Sequence, residues 1–195
     1  HRRGESLSVY AGTTRRRPWK IKVETVFRDV AVYRSPIIPI PGRIYALAPS
    51  LIPLLLKEDA DIIHAHGYQF FPSDAAAAIS KLKGTPFVIT LHGFPRNLRR
   101  PHLSTIGFYS LQRAEKIIAV STLVAREFAS IGVPQEKIRV IPNGIDLSQY
   151  KSLPDGRRFR ERYRLEDQLI VLAIGRLERI KGFQHLIQAL PYVLR

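Results

Sequence analysis

Short apolar runs alternate with longer segments of helical periodicity along the whole chain. The short runs are rich in β-branched residues, which favours strands, and several are apolar at almost every position, as strands covered on both faces are. Strands that alternate with helices indicate βαβ units around a parallel sheet, so the pattern predicts an α/β fold. The predicted strands are SLSVYAG (6–12), AVYRS (31–35), ADIIHAH (60–66), PFVITLHG (86–93), KIIAVS (116–121), KIRVIPN (137–143) and LIVLAIG (169–175).

The segments between these strands carry the signals of helix starts and stops. In SDAAAAISKLKG (73–84), Ser73 is placed to cap the helix and Gly84 to end it. In STLVAREFASIGVP (121–134), Ser121 or Thr122 can cap. On this helix, the side chains expected to face the core are Leu123, Val124 and Phe128. Helices are predicted at about 43–57, 73–82, 102–114, 122–131, 157–164 and 182–194.

A change of pattern near residue 150 indicates a domain border. In VIPNGIDLSQYKSLPDGRR (140–158), a strand ends, a turn follows at Asn143 and Gly144, and a polar stretch leads into a new helix and strand. We therefore predict a first domain over 1–150 and the start of a second over 151–195. The second part is short for a domain, so it is expected to be cut short.

Composition excludes several classes of protein. With 45% hydrophobic residues in 195, the chain can bury a core. It has no cysteine, which excludes disulfides, thiolate metal sites and a cysteine nucleophile and favours a reducing compartment. No apolar stretch approaches the roughly 20 residues that a membrane helix needs, so a cytoplasmic protein is expected. The chain contains no methionine, even at its start, which suggests a fragment or a processed chain.

The formal net charge of +15 predicts an affinity for phosphates of some kind. The cations gather in TTRRRPWKIK (13–22), RNLRR (96–100) and GRRFRERYR (156–164). These clusters could be solvated faces, or they could meet nucleic acid or an anionic membrane. Exposed aromatics interleaved with cations, or a reading helix, are not evident, so no specific nucleic-acid partner is expected.

The loop GRLERIKG (175–182) is the first candidate site. It follows a predicted strand, and ligands of open parallel sheets bind beyond the carboxyl ends of the strands. Gly175 lets the chain turn and Gly182 opens a helix, while Arg176 and Lys181 supply cations, so the loop could hold a diphosphate. It lacks the spacing of a Walker A loop, and a surface turn with two solvated cations is the alternative.

Three histidines at strand ends form the second candidate. His64 and His66 lie two apart on one predicted strand and so share a face, and His92 ends the next. Together they could bind a metal, as in a metal-dependent hydrolase, although no Asp or Glu stands beside His92 to complete the ligands. His92 faces the crevice or is a hydrogen-bonded core histidine. No pair of carboxylates suited to acid and base catalysis is evident.

Five segments occur along the chain in the order ADIIHAHG, PFVITLHGF, AEKIIAVS, VIPNGID and LAIGRLERIKGFQHLIQAL. Together they resemble the family 4 glycosyltransferases, which use nucleotide sugars and have the two-domain GT-B architecture. The resemblance covers nearly the whole chain. It implies a Rossmann-like first domain on the acceptor side, with a parallel sheet and helices on both faces, and a second Rossmann-like domain that binds the nucleotide sugar.

The resemblance also implies an activity and roles for particular residues. The family transfers sugar from a nucleotide-diphosphate donor to a sugar, glycan or lipid acceptor, with retention and without a required metal or other cofactor. Arg176 and Lys181 match the residues that hold the donor's diphosphate. His92 matches the histidine that contacts the donor sugar and whose carbonyl faces the reacting carbon. Positions that match the acceptor cleft are His66 and Gly67, and those that match the interdomain hinge are Asn143, Gly144 and Asp146.

Two departures from the family pattern shape the remaining expectations. The family's first strand and the glycine-rich loop that follows it have no counterpart before RRGESLSVYAG (2–12), so the first domain is expected to lack both. The family's two-glutamate motif has no counterpart after LAIGRLERIKGFQHLIQAL. By this comparison the 195-residue chain is expected to lack activity. Peripheral association with the inner face of a membrane is compatible with the resemblance.

Overall fold

The computed structural model describes residues 6–13, 21–26, 30–40, 45–93, 109–152 and 155–193. The chain divides into two compact units, His1–Gly144 and Ile145–Arg195. The basic cluster at 96–100, most of the cluster at 13–22 and the first part of the predicted helix 102–114 lie outside the described residues. Residues 109–113 of that helix are helical.

The first unit begins with a small mixed sheet. Its strands are β1 (Ser8–Thr13), β2 (Lys22–Val26) and β3 (Val30–Pro36), in the order β1-β3-β2. β1 pairs with β3 in parallel, and β2 pairs with β3 in antiparallel orientation. β1 and β3 were predicted. β2 was missed because KVETV is short and half polar, a pattern weak enough to be taken for a loop.

The next segment corrects the predicted helix 43–57. Its described part starts with strand β5 (Ala46–Leu47), which pairs with β4 (Ile38–Pro39), and helix α1 occupies only Leu51–Lys57. Pro49 accounts for the late start, because a proline disfavours helical backbone in the residue before it. The hydrogen bonds of α1 begin with a turn in which the N–H of Leu51 donates to the carbonyl of Ala48.

A four-stranded parallel sheet forms the centre of the first unit. Its strands are β6 (Ile63–His66), β7 (Phe87–Leu91), β8 (Lys116–Ala119) and β9 (Ile138–Val140), side by side in that order. All three pairings are parallel. The predicted α/β class, with a parallel sheet flanked by helices, is confirmed. Because the strands run the same way, their carboxyl ends share one edge of the sheet.

Helix α2 (Phe71–Lys83) connects β6 to β7 and packs on both. The prediction that Ser73 caps it is wrong. The helix begins earlier, with Phe70 at the N-cap position, and Ser73 is buried within the first turn. Pro72 explains this, since proline is well tolerated in the first turn of a helix. The predicted end is confirmed, because Gly84 has the left-handed φ of 70° that favours glycine.

Helix α3 (Thr122–Ser130) follows β8 and contacts β8 and β9. Ser121 caps it as predicted, since its hydroxyl accepts a 3.2 Å hydrogen bond from the backbone N–H of Val124. Val124 and Phe128 are buried as expected, but the inward orientation predicted for Leu123 is wrong, because Leu123 is 64% exposed.

The hydrophobic core lies between the parallel sheet and these helices. Phe87, Ile89, Ile117 and Phe128 are fully buried in it. The ring of Phe128 meets Tyr68 edge-on, with the ring centroids 5.1 Å apart. The core thus fixes the strands whose ends carry the histidines.

The second unit consists of helices α4 (Arg157–Tyr163) and α5 (Phe183–Val193) with short 3₁₀ turns. The strand predicted at 169–175 is wrong: residues 169–174 have no regular secondary structure, and Leu172 and Ile174 are 71% and 87% exposed. A strand needs a neighbour to satisfy its backbone groups, and the described residues of this unit supply none. Among the described helices of both units, none has the length and apolar character to cross a membrane.

Candidate functional site

The carboxyl edge of β6 and β7 brings the three predicted histidines together. His64 and His66 are exposed on one face of β6, while Ala65 between them is buried on the other. His92 comes directly after β7 and is exposed. The alternation of side chains along a strand therefore gives the shared face that the sequence predicted. The exposure of His92 excludes its interpretation as a core histidine.

Direct contacts connect this edge. Nδ1 of His66 lies 3.0 Å from Nε2 of His92, which is hydrogen-bonding distance. The two rings are nearly parallel, at 17°, with centroids 5.3 Å apart. His64 makes a separate hydrogen bond through Nε2 to the hydroxyl of Thr90, at 2.7 Å. These contacts arise because β6 pairs with β7 in a register that sets His66 opposite Thr90.

Burial and mutual proximity favour neutral imidazoles here. Partial burial lowers the pKa of His64, and nearby His66 and His92 lower it further. Burial also lowers the pKa of His66, with His92 as a second cause. Since both shifts go below the ordinary value of 6.5, His64 and His66 are neutral at pH 7. They can therefore each donate one hydrogen bond and accept one.

The arrangement does not favour a metal site. Within the described ranges, no group of three or more His, Cys, Asp or Glu side chains is placed to hold a metal ion. The ring nitrogens that face one another in His66 and His92 are occupied by their mutual hydrogen bond, and His64 directs Nε2 to Thr90. A metal would have to displace these contacts.

Gly67 forms the turn that follows β6. Its φ of 75° is left-handed, its N–H donates to the carbonyl of Thr90 at 2.8 Å, and its carbonyl accepts from the hydroxyl of Ser73 at 2.5 Å. Sequence reasoning missed Thr90 and Ser73 as supports of the site. For Thr90 a signal existed, because it stands two residues before His92 and so falls on the same strand face.

In the second unit, the loop from Gly175 to Gly182 contains the two predicted cations, Arg176 and Lys181. Arg179–Lys181 form a 3₁₀ turn that ends at Gly182, whose φ is 74°. Helix α5 begins at the next residue, with the N–H of His185 bonded to the carbonyl of Gly182 at 2.9 Å. A Cβ on Gly175 would lie 4.0 Å from Cγ of Lys181, so the Lys181 side chain passes beside Gly175.

Glu178 is a loop residue that sequence reasoning left out. Its carboxylate is 2.7 Å from Nη1 of Arg176, and both side chains are exposed, at 42% and 77%. The signal was visible as a single acid among three cations in GRLERIKG. The ion pair is weak at this exposure, so an incoming phosphate can replace Glu178 at Arg176.

The predicted hinge residues lie where the two units meet in sequence. Asn143, Gly144 and Asp146 are exposed, and the division falls directly after Gly144. The carboxylate of Asp146 accepts hydrogen bonds from the N–H and the hydroxyl of Ser148, at 3.0 and 2.6 Å, and these bonds lower its pKa. Asp146 thus caps the 3₁₀ turn Leu147–Tyr150. A hinge function for these residues stays a prediction.

Comparison with known proteins finds relatives for most of the chain. The profile of Glycosyltransferase Family 4 matches residues 1–149. The chain is 29% identical over 177 residues to a Bacillus subtilis protein described as a putative teichuronic acid biosynthesis glycosyltransferase, TuaC, covering 84% of the chain and 44% of TuaC. It is 33% identical over 112 residues to the GDP-mannose:cellobiosyl-diphosphopolyprenol alpha-mannosyltransferase of Xanthomonas campestris, covering 54% of the chain and 28% of that enzyme.

A similar solved structure is that of Anabaena HepE in complex with UDP. The TM-score is 0.67 at 26% sequence identity, and the match covers 83% of the chain and 44% of HepE. The chain thus spans less than half the length of each of these relatives.

Proposed function

Because the chain belongs to glycosyltransferase family 4, we propose that the protein transfers a sugar from a nucleotide-diphosphate donor to a glycan or lipid acceptor. The observation that carries this proposal is the loop of Arg176 and Lys181 at the start of α5. Two cations beside a helix N-terminus suit a diphosphate, whose charge both features attract.

The printed descriptions of the relatives support a nucleotide-sugar donor. HepE is described in complex with UDP, and the Xanthomonas enzyme is named for GDP-mannose. These names point to different bases, so we leave the base and the sugar open. The acceptor is a carbohydrate or a lipid-linked carbohydrate, as the names of TuaC and the Xanthomonas enzyme suggest.

Each unit has its own task in this proposal. In the second unit, Arg176 and Lys181 bind the diphosphate and neutralise the negative charge that grows on it as the sugar departs. In the first unit, His92 contacts the transferred sugar, and His66 with Gly67 lines the acceptor side. We further propose that the transfer proceeds with retention and needs no metal, because the fixed cations supply the charge that a metal would bring.

Removal of the loop cations tests the proposal. Transfer by the protein would be measured with a panel of UDP and GDP sugars. Loss of a preorganised group that stabilises developing charge costs roughly 100- to 1,000-fold in kcat, and we expect Lys181→Ala to fall in that range. Arg179→Ala is the matched control, since it removes the same charge from the same loop. Equal rates for Lys181→Ala and wild type would contradict the proposed role.

We also propose that the protein works in the cytoplasm, at the inner face of a membrane. The described support is the cationic stretch 156–164, in which Arg157, Arg158, Arg162 and Arg164 are exposed. Sedimentation with vesicles that contain anionic lipid, at low and at physiological salt, tests this. Binding that weakens with salt is expected, and no sedimentation at either salt concentration would remove the membrane proposal.

A further inference from the structure

The hydrogen bond between His66 and His92 leaves each ring with one nitrogen available to a ligand. His66 uses Nδ1 and His92 uses Nε2, at a separation of 3.0 Å. The ring centroids are 5.3 Å apart and the planes differ by 17°, so the rings lie side by side and the bond runs close to the plane of both. Both residues are exposed, and no hydrogen bond to Nε2 of His66 or Nδ1 of His92 is found among the described residues.

The chemistry of imidazole couples the two rings. A neutral histidine carries a proton on one nitrogen and a lone pair on the other. If His66 donates from Nδ1, then His92 accepts at Nε2 and its own proton is on Nδ1. If His92 donates from Nε2, then the proton of His66 is on its Nε2. In either case the pair offers one donor and one acceptor, and the tautomer of one ring sets that of the other.

His64 does not compete for this bond. Its ring lies 4.6 Å from that of His66, measured between centroids, but its Nε2 is bonded to Thr90. It lies beside His66 on the same strand face and takes no part in the bond between His66 and His92.

We infer that His66 is a positioning residue, which holds the ring of His92 in place and couples the tautomer of His92 to its own, so that His92 presents Nδ1 to a sugar hydroxyl. A hydroxyl group both donates and accepts hydrogen bonds. The His66–His92 pair offers one donor and one acceptor, so it suits neighbouring hydroxyls on a sugar ring. The identity of the ligand rests on the proposed function. The coupling of the two rings does not, because it follows from their geometry alone.

The coupling is tested by nitrogen-15 NMR of the imidazole rings in the 195-residue chain at neutral pH. In the wild-type chain, His66 and His92 are expected to carry their protons on the same-named nitrogen, so the tautomer proportions of the two rings should be equal. His66→Phe keeps a ring but removes the hydrogen bond, so the tautomer proportions of His92 should change. His66→Asn retains a polar atom near the position of Nδ1 and should return them toward the wild-type values. His64→Gln, which keeps a polar atom near Nε2, should leave the His92 signals unchanged.

Three results would overturn the inference: unequal tautomer proportions for His66 and His92 in the wild-type chain, unchanged His92 proportions in His66→Phe, or a failure of His66→Asn to differ from His66→Phe. None of them depends on transfer activity. In the natural protein, His66→Phe should lower kcat by up to about 100-fold through misplacement of His92, and His66→Asn should recover most of the loss. Matched tautomers of His66 and His92 in a protein that turns over no nucleotide sugar would refute the proposed function and leave the coupling intact.

Discussion

Replacement of Gly67 by alanine separates backbone strain from steric contact at the candidate site. Gly67 has a φ of 75°, where an alanine is strained. A Cβ built there would also lie 2.8 Å from Cε2 of Phe70, closer than real Cβ contacts. Gly84 provides the matched control in the same unit, because its φ is 70° and a Cβ there meets no atom within 4 Å.

The losses of stability in Gly67→Ala and Gly84→Ala should therefore differ only by the cost of the contact with Phe70. The left-handed conformation costs an alanine about 1–2 kcal/mol, which is the whole loss expected for Gly84→Ala. Gly67→Ala must also push the Phe70 ring off its rotamer, at about 0.5–1.5 kcal/mol. We expect Gly67→Ala to lower the free energy of unfolding by about 1.5–3.5 kcal/mol.

Urea unfolding followed through backbone amide signals of β6 to β9 measures the stability of the first unit. Phe70→Ala supplies the second test, because in that background the ring is gone and Gly67→Ala should cost no more than Gly84→Ala. The reasoning would be refuted if the two glycine substitutions cost the same within about 0.5 kcal/mol in the wild-type background, the margin within which independent substitutions add.

Three further predictions concern the first unit and use the same unfolding measurement. Ser121→Ala removes the cap of α3 and should cost about 1 kcal/mol, whereas Ser121→Asp should retain most of the stability. Phe128→Ala empties a fully buried position and should cost about 3–5 kcal/mol; a loss below 1 kcal/mol would mean that the core closes around the site. The pKa of His64 is lowered by burial, so the unfolded chain takes up its proton first. Stability should fall as the pH drops from about 6.5 through this lowered pKa, and His64→Gln should reduce the slope.

Local sequence was sufficient for the elements that carry their own signals. Ser121 was identified as a cap and Gly84 as a helix end because capping needs only a hydroxyl or a left-handed backbone at one position. The four central strands were found because each contains a short run of β-branched or other apolar residues between segments of helical periodicity. Ser73 was misassigned because Ser is an equally good cap and first-turn residue, and Pro72 decided between them.

The failures concern elements that depend on neighbours. Residues 169–175 have the composition of a buried strand, yet they pair with no strand among the described residues of their unit. β2 has a weak strand pattern, yet it forms because β3 offers an edge on which it pairs. Strand formation is a property of two segments, and composition describes only one of them.

The sequence by itself determined the chemical groups of the candidate site and the strand ends that carry them: two histidines on one face of β6, one after β7, and two cations before α5. Tertiary structure decided which of these groups meet. The parallel register of β6 and β7 places His66 within hydrogen-bonding distance of His92 and directs His64 to Thr90. The physical reason is that a hydrogen bond depends on distances within a few tenths of an ångström, and strand pairing sets those distances while local sequence does not.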